Sequence, residues 1–349
     1  MLDFSQATIV RLAITWSGNK ERNEGTVIPK STLVPVNDYA HDVLLATFFK
    51  PFEKNEAFHY FYHDEDVSNN AVYQSCVQIF ENPEVLSEQA AILTQRLYEY
   101  SSLPKITGGE VFLALFDAVN LMGENVLAIG IFKIITKDSY LRVERTNESF
   151  ALQVGEGIAT GKLALAALIF GVDEGEGYRV MAIDTVSKKD TPSVWMDNFL
   201  QVKPIEDHYF NTKHYVEIAT DFIKEKAASK FGLNKAETID LLNRSSYYFK
   251  ENDNFEIEDF TKKVFAEAEQ QEAFMTYKED YVQETAIPLA EQFDISKQAL
   301  RKANKAFKNI IKLDENFVIT INGRQDLIER GYDEEKGKPY YKVYFEQEE

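Results

Sequence analysis

Residues 111–117, Val-Phe-Leu-Ala-Leu-Phe-Asp, follow Gly108-Gly109 and decide the fold. The run is apolar, rich in bulky side chains and too short for an ordinary helix, so it reads as a buried strand. Downstream, residues 126–135, 140–145, 150–154, 164–170 and 178–184 repeat the signal, joined by short polar or Gly-bearing connections. Strands at that spacing, with no helix between them, predict an antiparallel meander. Upstream lie the elements that cover it. Residues 9–16 read as a strand, 39–49 as an amphipathic helix and 58–62 as an alternating aromatic strand. Two helices follow: 69–80 stops at Asn82-Pro83, and 83–100 carries Leu86, Ala90, Leu93 and Leu97 at helical spacing. The expectation is an α+β fold in which an antiparallel sheet meander is flanked by helices.

Periodicity is lost between residues 188 and 207, where Pro192 and Pro204 interrupt it. Helices then dominate: 208–231, with Tyr215, Ile218, Ala219, Phe222 and Ile223 on one stripe, then 234–249, then two more within 257–284. A last unit, a helix plus a small β element, begins near Pro288. We therefore expect a mixed α+β domain at 1–190, a helical region at 205–285 and a C-terminal unit at 286–349. No internal repeat or low-complexity tract interrupts the pattern.

With 349 residues, 44% of them apolar, the chain can bury a substantial core, and 18 Tyr and 25 Phe exclude a solvated polyelectrolyte. The formal charge of −19 must then lie on folded surfaces. A single cysteine, Cys76, excludes an internal disulfide and reads as a core thiol in a reducing cytoplasm. The apolar run 163–170 is far too short to span a bilayer, and the N-terminus has no basic, apolar signal pattern. A soluble cytoplasmic protein is expected.

Against this acidic background one segment stands apart. Residues 296–313 carry Lys297, Arg301, Lys302, Lys305, Lys308 and Lys312 and no carboxylate, which leaves −25 on the remainder. Clustered Lys and Arg supply most phosphate affinity, so these six are the candidate nucleic-acid contacts. Lys297, Arg301, Lys305, Lys308 and Lys312 recur at three or four residues and would share one face of a helix, opposite Leu300, Ala303, Phe307 and Ile311. Residues 287–305 also reproduce the spacing of a helix-turn-helix: Ala290 in a short helix, a turn at Asp294, Ser296 as N-cap and Leu300 in the second helix. Asp294 stands where that turn usually takes Gly.

Residues 316–345, NFVITINGRQDLIERGYDEEKGKPYYKVYF, contain Gly323-Arg324, Asp326-Leu327-Ile328, a Gly-Tyr-Asp-Glu-Glu-Lys-Gly run at 331–337 and Tyr340-Tyr341-Lys342. Upstream stand Gly18-Asn19-Lys20, Ile79-Phe80-Glu81, KITGGEVFLALF at 105–116 and Ala-Ile-Gly-Ile-Phe-Lys at 128–133. In this order they resemble the bacterial nucleoid-associated protein family of the NdpA/YejK type over nearly the full length. The resemblance implies a place on the nucleoid and brings no catalytic motif with it.

Other constellations fail on chemistry. The run 155–163, GEGIATGKL, lacks the first phosphate-loop Gly (Glu156 stands there), and Leu163 replaces the magnesium-binding Ser or Thr. His59 and His63 on a strand would lie roughly 13 Å apart, too far for one metal ion. His208 and His214, six apart on a helix, face different ways. Asp326 with Glu334-Glu335-Lys336 comes nearest to a magnesium nuclease site, but residues 332–337 read as a solvated hairpin loop, too loose to hold metal. In the last strand, Tyr340, Lys342 and Tyr344 share a face that could stack bases, with Tyr341, Val343 and Phe345 toward a core.

The reading is a non-enzymatic nucleoid-associated protein with no cofactor and no metal. At −25 outside one short segment, unaided wrapping of DNA is disfavoured. The expectation is that chromosomal DNA is reached indirectly, through a DNA-handling protein such as a topoisomerase, with the basic helix as auxiliary. Direct binding through the helix-turn-helix-like segment and metal-dependent cleavage are the alternatives. Neither the oligomeric state nor a DNA preference follows from the sequence.

Overall fold

The computed structural model describes the chain except for residues 1, 54–56, 103, 105, 146–148, 161–162, 188–192, 286, 304–308, 314–316, 322–327, 346 and 348–349. At 236, 302–303, 309–313, 318, 320–321 and 328–330 only the backbone is described. The chain divides into two compact units, Met1–Ile205 and Glu206–Glu349.

The first unit runs β1 (Leu2–Asp3), β2 (Thr8–Ser17), β3 (Thr26–Val27), α1 (Asp38–Phe49), β4 (His59–Phe61), α2 (Ala71–Glu81), α3 (Leu86–Tyr100), β5 (Gly109–Leu121), β6 (Glu124–Ile134), β7 (Lys137–Arg145), β8 (Phe150–Ile158), β9 (Leu165–Phe170), β10 (Arg179–Asp184) and β11 (Val202–Pro204). A π-helical turn, Val194–Leu200, precedes the last strand. One antiparallel sheet takes the order β11-β4-β10-β9-β6-β5-β2-β3, with β1 against the far end of β5. The chain is α+β with a mainly antiparallel meander, as the strand spacing predicts.

Both faces of the sheet are covered, which is why its central strands read as unbroken apolar runs. On β5, Val111, Leu113 and Leu115 point to the face covered by α2 and α3, through Val72, Cys76, Ile79, Leu86, Ala90, Leu93 and Leu97. Phe112, Ala114 and Phe116 point to the other face, against Phe48, Phe49 and Phe52 at the end of α1. Phe48 stacks on Phe132 at 4.1 Å between centroids. Gly130 is required beside this cluster, because a Cβ there would stand 2.4 Å from the Phe132 ring and 2.7 Å from Phe116. Asn70 caps α2 by accepting from Val72 and Tyr73 N–H, and Trp195 from the π-helical turn is fully buried, donating to Ala166 O at 3.1 Å.

β7 and β8 are the exception. The meander leaves the sheet after β6 and rejoins it at β9, which pairs directly with β6 (Ile131↔Ala167). Between them β7 and β8 pair only with each other, as a ribbon in register from Lys137↔Ile158 to Arg145↔Phe150.

The second unit contains α4 (His208–Asp221), continued by a π-helical stretch Phe222–Ala227 and α5 (Ala228–Lys230), then α6 (Lys235–Glu251), β12 (Asn254–Glu256), α7 (Ile257–Val264), α8 (Ala268–Thr285), β13 (Gln292–Asp294) and α9 (Lys297–Ala303). Two antiparallel ribbons close it, β14 (Asn309–Leu313) with β15 (Phe317–Ile321) and β16 (Ile328–Asp333) with β17 (Lys338–Val343). Its core is aromatic: Tyr215, Phe222, Phe249, Phe255, Phe260, Phe265 and Phe274, joined by Ile295 and Leu300. Residues on both sides of position 286 therefore share one core, and β13 pairs with β12 (Phe255↔Phe293).

Candidate nucleic-acid interface

Ser296 caps α9 as the sequence suggests: its Oγ accepts from Ala299 N–H at 3.2 Å, while its own N–H donates to Thr212 Oγ1 at 3.0 Å. Ala299 and Leu300 turn inward and Arg301 is exposed. The helix then departs from expectation. The described helix covers Lys297–Ala303, and Lys312 lies on β14 opposite Val318. Lys312 therefore does not share a helix face with Lys297 and Arg301. Ile310-Ile311 and Val318-Ile319-Thr320-Ile321 are β-branched runs, and cross-strand pairing between them overrides the helical period of the charges. Lys297 pairs with Asp253 at 3.1 Å, so one of the six cations is compensated within the chain. Lys302 is on α9 with only its backbone described, and Lys305 and Lys308 lie outside the described residues.

Among the described residues the first helix and the turn of the helix-turn-helix are not formed. Ala290, expected in a short first helix, is not helical; its N–H donates to Asn211 Oδ1 at 2.8 Å. Asp294, expected at the turn, ends strand β13. The extended conformation is held by Phe293, which stacks on Phe255 at 4.7 Å and on Tyr215 at 5.5 Å.

Of the remaining candidates, Asp326, Gly161 and Lys162 lie outside the described residues. Glu334 and Glu335 are exposed in the turn between β16 and β17, and the Asp333 carboxylate is engaged by Lys336. No group of three His, Cys, Asp or Glu able to hold a metal occurs among the described residues. His59 is buried on β4 and His63 lies beyond that strand. On β17 the expected core face is not formed: Val343 and Phe345 are exposed, as are Tyr340 and Tyr344, and only Tyr341 is half-buried. Lys342 sits 4.9 Å over the Tyr344 ring. Cys76 is buried, and burial pushes its thiol far above the ordinary range, as expected of a core residue. No helix among the described residues is long and apolar enough to cross a membrane.

Two features have a geometry that no sequence pattern predicts. The first is acidic. An open groove of about 740 Å³ between the Phe222–Ala227 stretch and α8 is lined by Glu225, Glu269, Glu272, Asp280 and Glu284 against Lys226 and Lys230. Tyr277 on its wall has a raised pKa, through burial first and then the negative field of Asp221, Glu225 and Glu284. Residues 206–294 hold 20 Asp and Glu and 10 Lys and Arg, a net −10. The second is a polar node around Gly18-Asn19-Lys20. Asn19 N–H donates to Glu24 Oε2 at 2.7 Å and its amide donates to Ile106 O at 2.9 Å. Lys20 pairs with Glu99, and its N–H donates to Ser101 O at 2.8 Å. Fully buried Lys133 donates to Ser101 Oγ at 3.3 Å. The node ties the end of β2 to the C-terminus of α3, where a cation meets the negative end of the helix dipole. No spacing rule points to it, because its members lie far apart in the chain.

The family described as nucleoid-associated protein YejK matches residues 18–338, 321 of the 349. The chain belongs to this family. No curated protein sequence matches it. The matched span runs from the Gly18-Asn19-Lys20 node through the sheet and the aromatic core into the β16–β17 ribbon, so family membership covers both units.

Proposed function

We propose that this member of a nucleoid-associated family acts without catalysis and reaches the chromosome mainly through a protein that already holds DNA. The observation that carries this reading is the charge distribution. The described α9 presents Arg301 as an exposed cation, Lys297 is offset by Asp253, and Lys312 sits on a separate ribbon. The helical region before it carries −10 and opens an acidic groove with tyrosines in its wall. Such a surface repels phosphate and complements a basic protein channel of the kind that binds DNA, as in a topoisomerase. The basic residues between 297 and 312 then add a weak, salt-sensitive contact to DNA near the docked partner.

Titration of fluorescent duplex with purified full-length protein tests this reading. The expected dissociation constant is on the order of micromolar or weaker at physiological salt. Low-nanomolar binding at that salt would overturn the reading in favour of a direct DNA binder. Magnesium-dependent cleavage, lost in Glu334→Ala, would overturn its non-catalytic part.

A further inference from the structure

The β7–β8 ribbon presents to solvent one face whose middle is apolar. Residues opposite each other in an antiparallel pair share a face, so Leu141 with Val154, Val143 with Leu152, and Phe150 beside Arg145 all project from the same side. Leu141, Val143, Phe150, Leu152 and Val154 are between 62% and 73% exposed, a contiguous stripe of a kind that marks an interaction surface. The opposite face closes on itself. Tyr140 lies over Gly155, where an added Cβ would stand 2.5 Å from its ring, and Arg142 pairs with Glu144 at 3.3 Å.

We propose that this apolar face docks on the same face of a second copy of this chain. The charges at its two ends are arranged for that occupant. Arg145 stands at the level of Phe150, and Glu156 stands at the level of Ser139 on the same face. Both are exposed, and neither has an ion-pair partner among the described residues. A two-fold axis between the copies, crossing the strands midway between Leu141 and Val143, lays the ribbons antiparallel. It places Leu141 and Val154 of each copy over Val143 and Leu152 of the other, and brings Arg145 of each within reach of Glu156 of the other. Such an isologous contact satisfies both charges at once. The segment also avoids the repulsion that opposes self-association elsewhere. Residues 137–158 carry three basic and four acidic residues, a net −1, while the rest of the chain carries −18.

Nine-residue strands are about 30 Å long and pair about 5 Å apart, so two ribbons face to face bury roughly 1,000 Å² at most, the lower limit of a specific interface. The association is therefore weak, with a dissociation constant on the order of 10 µM.

Sedimentation equilibrium of the full-length protein from about 1 to several hundred micromolar tests the proposal. Wild type should shift from monomer to dimer across that range. Leu141→Glu with Leu152→Glu should weaken association at least tenfold. Arg145→Glu and Glu156→Arg should each weaken it several-fold, and the double reversal should return it to within about twofold of wild type. Circular dichroism and Tm should stay unchanged in all four, because these side chains lie outside the sheet core. A protein that remains monomeric throughout, a dimer indifferent to the Leu pair, or a double reversal that fails to restore association overturns the proposal. A ribbon whose variants alter only DNA binding overturns it too.

Discussion

Lys133 is wholly buried among apolar side chains of β6, yet its ammonium reaches Ser101 Oγ at the end of α3. Burial lowers its pKa to about 8, partly offset by Glu24. In the unfolded chain the same amine titrates near 10.4. Between those values the unfolded state binds more protons than the folded one, so stability rises with pH through that window. Below pH 8 both states are charged and burying the charge costs about 3 kcal/mol, the free-energy equivalent of that shift. Lys133→Met should raise stability near pH 7 by about 1–3 kcal/mol and abolish the rise between pH 8 and 10.5. Urea unfolding of both proteins across that range decides it, and a variant less stable than wild type at pH 7 would show that the Ser101 hydrogen bond outweighs the desolvation cost. The family resemblance drew Lys133 and Gly18-Asn19-Lys20 from the sequence, but their joint role was not legible there. A buried cation on an apolar strand gains its meaning from the helix end that tertiary structure brings to it.

Elements were legible where local pattern and tertiary environment agree. The runs at 111–116 and 164–170 are buried on both faces, so composition alone identifies them as strands of a covered sheet. The departure of the β7–β8 ribbon could not be read, because nothing within residues 137–158 records whether β9 pairs with β8 or with β6. Lysine spacing misled at Lys312 because charge spacing imposes no packing constraint, whereas Ile310 and Ile311 do. At 287–294 the missing signal was Phe293, whose aromatic partners lie 38 and 78 residues upstream, at Phe255 and Tyr215. A consequence within the helical unit concerns His214, which joins α4 to α8 through the Tyr281 hydroxyl at 3.0 Å. Burial first, and Lys213 second, lower its pKa to about 4; Glu217, 3.9 Å away, does not offset them. Because the unfolded histidine takes its proton near pH 6.5, stability from this residue is complete above 6.5 and is lost as pH falls toward 4. His214→Phe should flatten the fall in Tm over that interval, measured by thermal melts at half-unit steps. An unchanged slope would show that His214 does not couple folding to pH.

Across the molecule, an excess of 57 carboxylates over 38 Lys and Arg makes different demands on DNA and on protein partners. Reversal of Arg301, Lys302, Lys305, Lys308 and Lys312 to Glu should remove the residual duplex affinity and its salt dependence, by about one unit of slope for each phosphate no longer neutralised. Lys297→Glu alone should change DNA affinity little, since Asp253 already pairs with that charge. Neither change should release a partner that docks on the acidic helical region. DNA affinity that survives the five reversals would place the phosphate-binding surface elsewhere on the chain. Recruitment through protein is decided by crosslinked capture of the full-length protein from cells, with and without exhaustive nuclease treatment. A DNA-handling protein should remain bound after the DNA is gone, at a level unaffected by the basic-residue reversals. Loss of every captured protein on nuclease treatment, together with loss of capture in the reversed variant, would contradict it.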